Sequence, residues 1–215
     1  MTGLVRRCVP GLALCLGFLA STPARAQDAT AASRPVHSVT VKDLESLEKT
    51  MLFTAEDVKY LRMSKDILAD QVEAVLDVWY GFVASTPELV YYFGNKSTGK
   101  PEAAYLAAVR KRFAQWILVT ADANYDQAWL DLQYEIGLRH NRLKKNQTDH
   151  AASVAQVNFR YLSALTIPIT TTLKPFLAKK GASPDAVEKM YQAWVKSVLL
   201  QTILWSQPYI KPGQF

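Results

Sequence analysis

The chain has 215 residues, 49% of them hydrophobic, with 25 Lys and Arg against 19 Asp and Glu for a formal charge of +6. That is enough for one well-buried core and short for two. The basic residues lie singly or in short runs (Arg110 to Arg112, Lys144 and Lys145, Lys179 and Lys180), the pattern of solvated helix ends, which argues against a nucleic-acid surface.

The first 26 residues do not belong to the core. Arg6 and Arg7 precede an apolar run from Val9 to Ala20, and Ala24-Arg25-Ala26 supplies a small-x-small cleavage signal, so the segment reads as a secretory signal peptide cut after Ala26. The run is too short for a membrane anchor, which takes about 20 apolar residues. Without Arg6, Arg7 and Arg25 the basic residues drop to 22 and the charge to +3. Cys8 and Cys15 are removed with the segment, and Leu12 to Cys15 is a poor match to a lipoprotein box. The mature chain can therefore form neither a disulfide nor a thiolate metal site nor a covalent haem attachment. Residues 27–40 are rich in Ala, Ser and Thr and lack periodicity, which predicts a flexible lead-in with His37 solvated.

From residue 41 the pattern is helical, with no stretch that reads as a strand, no internal repeat and no sign of a second domain. Leu44, Leu47 and Met51 mark a short helix, and Thr54 caps a second carrying Val58, Leu61 and Met63. Ser64 is read as the start of a long helix to Ala84, aromatic-rich at its end with Trp79, Tyr80 and Phe82. Tyr80 is a phenol among apolar neighbours and needs a hydrogen-bond partner, which a ligand could supply. Gly94 to Pro101 is a loop, and the next helix, Glu102 to Thr120, turns Leu106, Val109, Phe113, Trp116, Ile117 and Thr120 inward.

The helix from about Asp126 to Asn141 contains the most informative stretch. Trp129, Leu132, Ile136 and His140 share one face, so an imidazole ends an apolar stripe. A buried neutral imidazole can give one lone pair to a metal while its other nitrogen donates a hydrogen bond. On spacing alone a hydrogen-bonded core histidine is the commoner reading. Asn141 to His150 reads as a polar, solvated loop. A helix from about Ala151 to Ala178 should kink or break near Thr166 and Lys174, because Pro168 and Pro175 each remove a backbone bond. Ser183-Pro184 opens the last helix, which runs to about Ser206. These last two helices hold more large apolar residues than one face hides, Trp194, Leu204 and Trp205 among them, which suggests a helix-to-helix homodimer.

Five blocks in order, VWYGFV (78–83), YLAAVRKRFAQWIL (105–118), YDQAWLDLQYEIGLRH (125–140), IPITTTLKPFLAKKG (167–181) and MYQAWVKSVLLQTILWSQPY (190–209), resemble the protoglobins, relatives of the haem domain of globin-coupled sensors. The resemblance runs from about Leu44 to the C-terminus. It implies an all-α globin fold of protoglobin type over residues 41–215, with an extra N-terminal helical segment. It further implies haem b (iron protoporphyrin IX) held non-covalently, with His140 as the proximal iron ligand. Tyr80 matches the distal tyrosine that can donate to a bound gas, Trp79 the distal tryptophan, and Phe113 the aromatic over the haem face. Leu165 and Ile169 fall where haem and gas tunnels are bordered, and Arg112, beside Phe113, where a propionate could be met. The resemblance also favours the homodimer. A signal peptide departs from the family, whose members are expected to be intracellular, and places this chain in the periplasm. The absence of a transmitter after the globin argues against direct sensor output.

These readings imply a globin binding O2, CO or NO at five-coordinate iron, for storage, binding or sensing. The alternative is a haem-dependent redox enzyme: a nitric oxide dioxygenase, nitrite reductase or peroxidase. No distal His or carboxylate acid is evident near Tyr80 or Phe113, which weighs against a dedicated peroxidase. A third reading is a haem-free helical binding module with His140 merely in the core.

Overall fold

The computed structural model describes residues 39–211 and 213–215, so the segment read as a signal peptide and most of the expected lead-in lie outside the described residues. Nine α-helices are formed among them: α1 (Val41–Thr50), α2 (Ala55–Leu68), α3 (Val72–Ala84), α4 (Pro87–Val90), α5 (Ala103–Asp122), α6 (Gln127–His140), α7 (Phe159–Ala164), α8 (Thr166–Leu177) and α9 (Pro184–Trp205). The described residues contain no strand, only two isolated bridges, Gly94 with Pro101 and Asn95 with Ser153. The all-α expectation therefore holds.

Thr40 and Val39, the end of the segment read as flexible, are ordered. Thr40 closes a capping box with Asp43, whose carboxylate accepts from the Thr40 N–H at 2.8 Å. Val39 and Leu44 are buried with Trp129, Leu130, Leu200 and Leu204, which docks α1 on α6 and α9.

Ser64 does not begin a helix. Its hydroxyl, wholly buried, donates to the Leu61 carbonyl at 2.6 Å and accepts from the Trp194 indole at 2.8 Å, so α2 continues through it to Leu68. The break falls at residues 69–71 instead, where no Gly or Pro marks it. There the Gln71 amide donates to the carbonyls of Ile67 and Phe176, taking over part of the helix end's hydrogen bonding. The bend lets α2 pack on α5 and α9 while α3 packs on α5 and α8.

The segment from Ala151 to Asn158 is likewise not helical. Its backbone is committed elsewhere: the Ala152 carbonyl accepts from Lys96 at 2.9 Å, the Ser153 carbonyl from the Asn146 side chain at 2.6 Å, and the Val157 N–H donates to the His140 carbonyl at 2.8 Å. The break expected near Thr166 occurs between α7 and α8, but α8 continues through Pro175.

The last helix, α9, is the hub, packed by α2, α6, α7 and α8. Partners on several sides bury Trp194 and Leu204 completely and Trp205 to 7% exposure. These three of the apolar residues that suggested a dimer face are thus absorbed within the chain, whereas Ile167 on α8 and Leu199 on α9 stay exposed.

Candidate functional site

Between α3, α5, α6 and α8 and the 141–158 loop lies a cavity of about 590 Å³, within the range of cofactor sites. Six of the seven site residues expected from the sequence line it: Trp79, Arg112, Phe113, His140, Leu165 and Ile169. Leu132 and Ile136, on the His140 stripe, line it too. Trp129, read as part of that stripe, packs instead in the cluster with Leu44 and Leu200.

His140 is the last residue of α6, where its Nδ1 lies 2.8 Å from the Ile136 carbonyl. A carbonyl only accepts, so Nδ1 carries the proton and Nε2 keeps its lone pair. Burial holds the imidazole below its usual pKa, aided by the charges of Lys145, Arg112 and Arg139 and opposed by the Ile136 hydrogen bond. The ring is therefore a neutral donor of a lone pair at neutral pH.

Trp205 lies against this ring, centroids 5.9 Å apart and planes 19° from parallel. Its indole N–H donates to Gln133 Oε1 at 2.9 Å, and Gln133 is wholly buried on the same helix as His140. Gly137 makes the approach possible: a Cβ there would lie 2.9 Å from the Trp205 carbonyl oxygen and 3.1 Å from its Cα.

Across the cavity, Trp79 and Phe113 meet edge to face, centroids 5.7 Å apart, and Phe113 continues to Trp116 at 5.2 Å. Val83, Leu89, Leu165 and Ile169 complete an apolar wall. Tyr80 is not part of the lining. The Arg110 guanidinium lies 5.6 Å from its ring centre, and its hydroxyl makes no hydrogen bond to another described residue. Burial pushes the phenol up to about 12, against the pull of Arg110 and Arg112, so it remains protonated and able to donate.

The polar rim departs most from the sequence reading. Arg112 forms a two-pronged ion pair with Asp149, at 2.8 and 2.5 Å, rather than standing free for a ligand. Asp149 thereby brings a carboxylate to the cavity beside Phe113, where none was expected, with both oxygens spent on Arg112. Arg139 is paired with Glu135 at 2.8 Å. Lys145, read as part of a solvated basic run, is 2% exposed and lines the cavity, its Nζ 5.1 Å from the Tyr105 ring centre. Burial, helped by Lys96 and opposed by Glu102, pushes its ammonium down to about 8. Sequence reasoning also missed Trp205 as the neighbour of His140. Both come from segments far from the His140 stripe in sequence or without its periodicity, so helical spacing could not find them.

Comparison with known proteins agrees with this architecture. The family model described as Protoglobin matches residues 40–215. Among solved structures, the globin domain of the Geobacter sulfurreducens globin-coupled sensor is similar in fold, with a TM-score of 0.59 and 15% identity over 78% of this chain and 97% of that one. No curated protein matches the chain in sequence.

Proposed function

The chain belongs to the protoglobin family, and from that premise we propose that it is an exported haem-b globin that binds O2, CO or NO for gas binding, storage or sensing. One observation carries the reading: an imidazole that lines a cofactor-sized, largely apolar cavity has its Nδ1–H fixed on Ile136, which leaves the lone pair of Nε2 free. The donor set fits haem, since a neutral imidazole is the usual proximal ligand of globins and the walls away from the polar rim are apolar and aromatic. Haem, when bound, supplies an iron with a sixth position for a diatomic gas.

The chain's own residues divide the work. His140 offers the axial nitrogen, and Ile136 and Trp205 hold its ring in place. Trp79, Phe113, Leu165 and Ile169 exclude water and limit ligand size. Tyr80 lies outside the lining but packs against the cluster of Trp79, Val83 and Leu89, and its protonated hydroxyl is the donor that a bound gas would require to turn inward. Arg112 could meet a propionate only by sharing or releasing Asp149. The same pairing leaves Asp149 no free oxygen for acid catalysis, which favours gas binding over a peroxidase role.

Export rests on the Arg6-Arg7 pair, the apolar run and the Ala24-Arg25-Ala26 signal, which together favour a periplasmic protein cut after Ala26. Association through the C-terminal helices is supported by exposed Ile167 on α8 and Leu199 on α9, 62% and 43% accessible. Light scattering on the purified protein tests that association: a mass of one chain rejects it.

The central reading is tested by absorption spectra of the purified protein, oxidised, reduced and exposed to CO, beside His140→Ala. A Soret band whose ferrous and CO forms change in the variant and are restored by added imidazole is expected. Unchanged spectra and haem retention in the variant would exclude His140 as the ligand.

A further inference from the structure

Among the described residues three Lys and Arg side chains line the cavity, and two of them are neutralised within the chain, Arg112 by Asp149 and Arg139 by Glu135. Lys145 differs. Its ammonium is buried, and its hydrogen-bond partners are neutral oxygens: Val154 carbonyl at 2.9 Å, Ser153 Oγ at 3.1 Å and, weakly, Asn146 Oδ1 at 3.5 Å. Glu102, the acid that acts on it electrostatically, accepts instead from Asn95 and the Ala152 N–H. A buried charge without a counter-charge is costly, and chains rarely keep one unless something pairs with it.

The ammonium is also held in place. Ser153 donates to the Tyr92 carbonyl at 2.9 Å, the Asn146 amide donates to the Ser153 carbonyl, and Val157 ties the far end of the loop to the His140 carbonyl. The loop that fixes Lys145 is thus fastened to the same helix end that presents His140. A positive charge set on the cavity wall at a fixed place relative to the axial imidazole is suited to a ligand bearing both a metal and a carboxylate.

Resting on the haem reading above, we infer that Lys145 is the cation that receives a carboxylate of the bound porphyrin, and that this pairing sets how the macrocycle is turned about the His140 axis. Arg112 is then not required for that role and keeps Asp149. The groups facing Lys145 are Lys96, Glu102, Tyr105 and His140, with the Arg112–Asp149 pair on the same cavity. None of the carboxylates among them is within salt-bridge reach of its nitrogen in the described residues.

The test compares haem with its dimethyl ester, in which both carboxylates are capped. Each is loaded into the unmodified protein, Lys145→Gln and Lys145→Met, and its release to excess apomyoglobin is timed by absorbance. Diacid haem is expected to leave the variants about ten- to a hundredfold faster, the size of a lost charge-assisted hydrogen bond, whereas the ester leaves all three proteins at one rate. Equal acceleration of both porphyrins, or none of either, overturns the assignment. Should the variants not fold, the unmodified protein decides: the Lys145 ε-carbon resonance must shift with zinc protoporphyrin and not with its dimethyl ester, and equal shifts overturn the assignment. If the unmodified protein retains no porphyrin at all, the haem reading fails and takes this one with it. If it retains both porphyrins without discriminating at Lys145, only the present inference fails.

Discussion

The indole of Trp205 is stacked on the imidazole of His140, ring centroids 5.9 Å apart at 19°, while its N–H is held by Gln133, about two turns earlier on the same face of α6. The imidazole is therefore held by two restraints, the Ile136 carbonyl at its Nδ1 and an aromatic surface against its face. An aromatic pair is worth about 0.5 to 1.5 kcal/mol beyond its buried area. Trp205→Leu should accordingly release haem roughly two- to tenfold faster and broaden the iron–histidine stretching band in resonance Raman spectra. Trp205→Phe, which keeps an aromatic face but loses the bond to Gln133, should fall between. Release at the unmodified rate from Trp205→Leu would leave the stacking without consequence.

Gly137 is the position that allows this contact. Ala is the better helix former by about 1 kcal/mol, so in an open helix Gly137→Ala would stabilise. Here the added methyl meets the Trp205 carbonyl at 2.9 Å and its Cα at 3.1 Å, both backbone atoms that move only if α6 and α9 separate. Overpacking of this kind costs about 1 to 3 kcal/mol, which should outweigh the propensity gain. Urea unfolding of the variant should show a net loss of stability, with faster haem release. A variant as stable as the parent would mean that the two helices part at little cost.

The fold was legible because its signals are local. Thr54, Asp126, Ser183-Pro184 and the 3.6-residue spacing of α5, α6 and α9 each act within one helix, and those boundaries fall within a few residues of expectation. The failures have a common origin in contacts distant in sequence. Ser64 looks like a cap but is bonded to Trp194, 130 positions away, and the unmarked turn after Leu68 depends on the Phe176 carbonyl. The site divides the same way. His140, Trp79 and Phe113 could be placed by face and resemblance, whereas Lys145, Asp149 and Trp205 reach the cavity only through tertiary packing. A polar loop of Lys, Asn and Asp reads as solvated until the loop folds back over the cavity.

Tyr80 is the one expected site residue that the geometry leaves out of the cavity lining. Its phenol is protonated and unpaired among the described residues, yet it stands outside the cavity lining, beside Arg110. If the hydroxyl turns inward to donate to a bound gas, it stabilises dioxygen, which accepts more negative charge, far more than carbon monoxide. Tyr80→Phe should then raise the oxygen release rate by about tenfold or more and leave carbon monoxide release within about twofold. Parallel changes in both rates in flash photolysis would keep Tyr80 where the structure has it, as part of the wall behind Trp79.

Protonation of His140 supplies a test that needs no haem. An imidazole in the unfolded chain titrates near 6.5, and burial lowers that value in the folded chain. Between the two values the unfolded chain binds more protons than the folded one, so stability rises with pH across that window. The contribution is complete above about 6.5 and is lost progressively as pH falls toward the depressed folded value. Porphyrin-free protein should thus lose stability from pH 7 to pH 5 more steeply than His140→Gln, by up to one proton's worth, about 1.4 kcal/mol per pH unit. His37 and His150 are present in both proteins, so their effects cancel in the comparison. Urea titrations at half-unit pH intervals measure the difference in slope. Superimposable pH profiles would mean that the ring is as easily protonated folded as unfolded, and Nε2 would then lose its standing as a lone pair kept ready for a metal.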